Sequence, residues 1–126
     1  SRYTPGGRLE NWPWHRILLS RAGNTYARMV LRRNIRDLTA GFMAFRTSLL
    51  RQPAFQNISA NGFAFLMEIK IIASSLGASI TEIPITFKDR VNGYSKISNK
   101  IISEGLVMPW RLRARYRKVP QKPVKK

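Results

Sequence analysis

Apolar residues recur every three to four positions in three stretches and alternate in two others. Behind Pro13, which suits the first turn of a helix, Trp14, Leu18, Ala22, Tyr26 and Val30 repeat at helical spacing. They predict a helix over about 14–32 with these five on its core stripe. Arg16, Arg21, Arg28, Arg32 and Arg33 decorate the same helix, and His15 beside the stripe reads as a surface histidine. The strongest helical pattern covers 61–77, with Phe65, Ile69, Ile72 and Leu76 as its core stripe and Gly77 as a natural stop. A third covers 97–116. There Ile97, Ile101, Ile102, Leu106 and Met108 supply an apolar face, and Pro109 is expected to kink or break the helix.

The alternating runs predict strands. In "RDLTAGFMAFRTSLL", Phe42 and Ala44 alternate with Met43 and Phe45, and Gly41 implies close approach of another backbone or a ligand. "SITEIPITF" places Ile83, Ile85 and Phe87 on one face, and Pro84 marks it as an edge strand. Residues 1–12, broken by Pro5, Gly6 and Gly7, read as loop, and 47–59 as a short helix and a loop around Pro53. The order is loop, helix, strand, helix, strand, basic loop, amphipathic helix. That is an α/β pattern with too few strands for an independent doubly wound sheet. Open edges and uncovered apolar faces would remain, so half of a domain is expected to be missing.

Composition narrows the chemistry. Of 126 residues, 44% are hydrophobic, enough for a core in one domain or part of one. With no cysteine there is neither a disulfide nor a thiolate metal site, and one histidine with six acids does not suit a self-contained metal centre. No run of about 18 apolar residues could cross a membrane as a helix, and the N-terminus carries no signal-peptide core. The first residue is not Met, as expected of a piece of something longer.

Charge changes the picture most. The net charge is +17, and the last 16 residues hold eight cations and no acid. The partner is therefore anionic: nucleic acid, anionic lipid or a phosphorylated substrate. Trp110 and the alternating arginines after it suit a membrane-surface helix over 97–116, and residues 117–126 are expected to be a disordered basic tail.

Candidate contacts follow from position. Arg2 lies in a Gly/Pro-bounded loop and Arg16 opens a helix. Arg90 and Lys96 flank the Asn92-Gly93 turn in "FKDRVNGYSK", after a strand. Loops at strand ends are where α/β proteins bind ligands, and arginine suits bidentate phosphate contact. Gly93 would let the backbone approach a phosphate, while Asp89 would hold Arg90 or cap the turn. The other reading of this loop is a solvated, charged hairpin. Glu68 sits in the most apolar part of the chain, either exposed on a thin polar face or as a site carboxylate in a cleft.

Taken together and in order, "SRY", "SRAGN", "RDLTAGFMAFR", "GFAFLMEI" and "EIPITFKDRVNGYSK" resemble the dolichol- or polyprenol-phosphate mannose synthases, family 2 glycosyltransferases of GT-A fold. The resemblance covers about residues 1–100. It implies the C-terminal half of a GT-A, Rossmann-like domain: residues 1–96 form the acceptor side, followed by the amphipathic helix and the basic tail. It implies transfer of mannose from GDP-mannose to polyprenol phosphate, with inversion and with a divalent metal, Mg or Mn, holding the donor diphosphate. Arg2 and Arg16 become candidates for the lipid phosphate, Arg90 and Lys96 for the phosphate cluster. Gly93 and Ser95 fall in the same loop. Asp37, Thr39 and Gly41 fall in the acceptor-side loop, and Glu68 near the sugar.

The family's Asp-x-Asp metal motif does not occur in this chain. Metal ligands are thus expected in a preceding half or a partner subunit, and the chain alone is expected to be inactive. The lack of membrane spans points to the peripheral kind, at the cytoplasmic face of a membrane. The rival readings are a polyprenol-phosphate transferase for another sugar and a basic module binding nucleic acid or membrane. Nucleic acid is not expected, because the cations outside the tail are scattered and no nucleic-acid motif is present.

Overall fold

The computed structural model describes residues 1–88 and 99–116. Arg90, Gly93, Ser95, Lys96 and the tail at 117–126 lie outside the described residues. The elements are β1 (Arg8–Glu10), α1 (Trp14–Leu31), α2 (Thr47–Leu50), α3 (Pro53–Gln56), α4 (Gly62–Ser75), β2 (Thr86–Lys88) and α5 (Asn99–Arg115). It is a mixed helical structure with a small parallel sheet, compatible with the α/β expectation.

β1 and β2 pair in parallel, with Arg8 opposite Thr86, Leu9 opposite Phe87 and Glu10 opposite Lys88. The pairing begins upstream of the strands. Ser1 N donates to Ile83 O (2.7 Å), Ile85 N to Ser1 O (3.1 Å) and Arg8 N to Ile85 O (3.0 Å). The loop expected over 1–12 therefore contains a strand. Its partner, 78 positions further along the chain, supplies a ladder that local pattern cannot reveal.

The predicted strand over 42–45 is not one. Residues 40–46 run without assigned secondary structure, and among the described residues no strand pairs with them. Gly41 is exposed, and a Cβ there would meet Leu66 at an ordinary 3.8 Å, so no backbone crowds it. β2 is also shorter than its sequence pattern. Among the described residues it pairs on one side only, with β1, and Pro84 lies outside it.

The helices match the periodic stretches closely, though not face for face. In α1, Trp14 and Leu18 are exposed and only Val30 of the predicted stripe is buried; the buried residues are Asn24, Ala27, Val30 and Leu31. Asn24 lies in the interior because both ends of its amide are used. Its Nδ2 donates to Arg36 O (2.7 Å) and its Oδ1 accepts from Leu38 N (3.0 Å). α4 ends as expected: Ala78 N donates to Ala73 O and Gly77 N to Ser74 O, with Gly77 at φ +77°. That pair of bonds is the Schellman stop, which favours glycine in the left-handed position. On α4, Leu76 is exposed, while Met67, Ile69, Ile71 and Ile72 are buried.

α5 continues through Pro109 instead of breaking, with the proline ring in the core. The core joins Ala27 and Leu31 of α1, Ile35 and Leu38 after it, Met67 and Ile71 of α4, and Leu112 of α5. No described helix is long and apolar enough to cross a membrane.

Candidate functional site

Arg2 and Asp37 stand 35 positions apart in the sequence, and the fold brings them together. Arg2 Nε donates to Asp37 Oδ2 (2.8 Å) and Nη2 to Asp37 Oδ1 (2.8 Å), a two-pronged fork, while Arg2 N also donates to Oδ2 (3.0 Å). Nη2 donates to Thr39 Oγ1 as well (2.7 Å). Asp37 Oδ1 further accepts Ala40 N (3.0 Å), closing the turn that carries Thr39. Arg2, Asp37 and Thr39 thus form one cluster. Gly41 stands two residues beyond Thr39, exposed.

Two groups that the sequence reading passed over complete the cluster. Lys70 reaches in from α4, and its Nζ donates to Asp37 O (2.8 Å) and Ala40 O (2.7 Å). Glu82 accepts from Arg36 N (2.8 Å) and Asp37 N (2.9 Å). Burial alone would raise the Asp37 pKa. The hydrogen bonds and charge of Arg2, with the Lys70 charge, outweigh it and hold the carboxyl at about 2. Burial pushes the Lys70 ammonium down to about 8, against the pull of Asp37 and Glu82.

Around the outer side of Arg2 stands an aromatic wall. Its guanidinium lies 5.1 Å from the Tyr3 ring centre, 5.9 Å from Trp12 and 5.8 Å from Phe87. Trp12 packs edge-on to Phe87, with ring centres 5.6 Å apart. Arg16, in the first turn of α1, stacks on the same indole at 3.9 Å. One tryptophan therefore gathers both arginines, each within cation–π range. Trp12 Nε1 is buried and has no hydrogen-bond acceptor among the described residues. Phe87 belongs to β2, and the segment holding Arg90 and Lys96 begins right after Lys88.

Glu68 is placed elsewhere. It is 0% exposed, which removes the surface reading. Its Oε2 accepts Ser59 N (3.2 Å) and Ala60 N (2.9 Å), and its Oε1 accepts Tyr116 Oη (2.9 Å) and Arg115 Nη1 (3.2 Å). Both oxygens are thus held by neighbouring backbone and α5. His15 is exposed, edge-on to Trp14.

A cleft of about 760 Å³ opens beside the Arg2–Asp37 pair. Asp37 and Lys70 form its polar floor, and Ile35, Phe42, Phe45 and Leu49 its apolar wall. Among the described residues, no three His, Cys, Asp or Glu side chains cluster as a metal site would require. The described residues therefore offer no ligand set for the divalent metal.

No family model matches the chain, and no solved structure matches it. Named relatives do. The polyprenol monophosphomannose synthase of Mycolicibacterium smegmatis is 40% identical over 117 residues, which cover 91% of this chain and 44% of the relative. The undecaprenyl-phosphate mannosyltransferase of Micrococcus luteus is 40% identical over 118 residues, covering 92% of this chain and 49% of the relative. The dolichol-phosphate mannosyltransferase of Pyrococcus furiosus is 34% identical, over 89% of this chain and 31% of its own length. The chain spans half or less of each relative and matches their C-terminal part. Over about nine-tenths of its length it is homologous to polyprenol- and dolichol-phosphate mannosyltransferases, as its motifs indicate.

Proposed function

We propose that this chain is the acceptor side of a GT-A glycosyltransferase that moves mannose from GDP-mannose to a polyprenol phosphate. The observation that carries the reading is the gathering of Arg2 and Arg16 on Trp12, whose indole N–H lacks an acceptor among the described residues. An acceptor phosphate oxygen at this wall would take that N–H and meet Arg16. Asp37 fixes the Arg2 fork, so the site is preorganised before the lipid arrives.

The acceptor phosphate is already an anion, and its oxygen forms the new bond to the anomeric carbon as the bond to the donor diphosphate breaks. No base is needed to remove a proton. The protein's task is to hold two mutually repelling phosphates together and to neutralise their charge. Arg90 and Lys96, which follow β2 directly in sequence, are assigned to the same phosphates. Gly93 and Ser95 line that loop in this reading. A divalent metal, Mg or Mn, would neutralise the donor diphosphate from ligands supplied by another half or subunit. The protein works peripherally at the cytoplasmic face of a membrane.

The test joins this chain to the N-terminal part of the Mycolicibacterium smegmatis relative that it does not match. Chimera and chain alone are assayed with GDP-mannose, Mn²⁺ and polyprenol phosphate. The chimera is expected to transfer mannose and the chain alone is not. Arg16→Ala in the chimera should lower kcat/KM by roughly 10–100-fold, the loss of one or two charge-assisted hydrogen bonds. A folded chimera that binds GDP-mannose yet transfers no mannose to polyprenol phosphate overturns the acceptor-side reading. Turnover by the chain alone overturns its dependence on another half.

A further inference from the structure

A second cationic site lies away from the Arg2–Asp37 cluster, where the C-terminal ends of α1, α4 and α5 converge. A pocket of about 350 Å³ opens there, at the low end of the range of small-molecule sites, about 300–1,000 Å³. Its floor is apolar, made by Leu31, Ile71 and Leu112. Arg32, Arg33, Arg113 and Tyr116 also line the pocket, and no acid does so among the described residues.

Arg33 is the informative residue. It is 9% exposed, and its guanidinium donates to two neutral hydroxyls, Ser75 Oγ (2.8 Å) and Ser74 Oγ (3.3 Å). No carboxylate pairs with it among the described residues. A buried cation without a counter-charge is costly, and burial indeed lowers its pKa. The helix ends supply only partial negative charge. Arg113 uses some of it, donating to Val30 O (2.9 Å) in the last turn of α1. Arg32 follows in the left-handed position that closes α1, at φ +51°. The Tyr116 hydroxyl is committed to Glu68, so recognition falls to the arginines.

We propose that this pocket binds a phosphate-class anion, a phosphate mono- or diester, with its oxygens on Arg32, Arg33 and Arg113 and its ester-bearing side on the apolar floor. The anion supplies the counter-charge that Arg33 lacks. The ester side matches Leu31, Ile71 and Leu112, which a bare hydrated ion would leave unused. Neither the relatives' names nor the acceptor site calls for this pocket, so it stands or falls separately from the proposed reaction.

The test uses the purified 126-residue chain and two probes. One is inorganic phosphate against chloride at fixed ionic strength, read by calorimetry. The other is vesicles of phosphatidylglycerol in phosphatidylcholine, read by flotation. Arg32→Gln and Arg113→Gln are compared with Arg51→Gln, an exposed arginine outside the pocket and off α1 and α5 that controls for general charge. Arg32 is exposed, so its variant leaves the fold intact and decides the matter should Arg113→Gln unfold.

Wild type and Arg51→Gln are expected to bind alike, and the pocket variants about tenfold more weakly, the loss of one charged hydrogen bond. Pocket-dependent binding of both probes means that phosphate itself is recognised; pocket-dependent binding of vesicles alone assigns the site to a lipid headgroup. Equal weakening in all three variants, no weakening in Arg32→Gln, or no binding of either probe by wild type overturns the proposal.

Discussion

Asp37 ties the N-terminal segment to the loop after α1. It receives the Arg2 fork, the Arg2 and Ala40 amides and the field of Lys70. Removing one partner of a buried pair strands the other, so Asp37→Ala should destabilise by about 3–5 kcal/mol, read by urea unfolding. The pH dependence follows from the depressed pKa. The folded value is about 2 against 3.8 ordinarily, so the contribution is fully present above about pH 4. It is lost as pH falls toward about 2. Wild type should therefore lose stability over that window more steeply than Asp37→Ala. Parallel curves for the two proteins would show that the pair does not couple protonation to folding.

At the level of elements, Glu68 ties α4 to the 57–60 loop and to the end of α5. Arg115 donates to Asn57 O (2.7 Å), to Ser59 Oγ and to Glu68, and Tyr116 to Glu68. Burial, then the Glu68 hydrogen bond and charge, push the Tyr116 hydroxyl up to about 12. Tyr116→Phe should cost about 1.5–3 kcal/mol, the usual worth of a hydrogen bond to a charged group. Glu68→Ala should cost more, and should speed hydrogen exchange at the Ser59 and Ala60 amides it accepts. Unchanged exchange at those two amides would show that Glu68 does not hold the loop. The helices were legible because period and stop signals are local: Gly77 ends α4 as its position implies. Their faces were less so. Asn24 reads as polar and is buried, since its amide bonds reach residues 12 and 14 positions on. The short strands and the roles of Lys70, Glu82 and Trp12 depend on contacts between distant segments, which no window of sequence contains. Arg2 stands out by its loop position and by motif order, Asp37 and Thr39 by motif order alone, and neither signal says that they touch.

For the whole molecule, the sequence pattern makes 97–116 a membrane-surface helix by itself, whereas α5 is packed on its Pro109 and Leu112 side into the core. What remains outward is shared with α1. Leu106 is 53% exposed and Trp110 55%, while Trp14 is 75% and Leu18 61% exposed on α1. Tyr26 joins the two helices, accepting from Trp110 Nε1 and donating to Leu106 O, both at 2.8 Å. Exposed aromatic and aliphatic side chains on a chain of net charge +17 complement an anionic bilayer, where each basic residue near the surface adds roughly 1 kcal/mol. We predict that both helices contact the bilayer. Trp14→Gln with Leu18→Gln, and Leu106→Gln with Trp110→Gln, should each weaken flotation with phosphatidylglycerol vesicles about tenfold. Part of the wild-type binding should also survive 0.5 M salt, because apolar burial is not screened as surface charge is. Loss only with the α5 pair would return the contact to one helix. Binding that salt abolishes and neither pair alters would make it electrostatic alone, and the membrane face would then have to be sought among the cations.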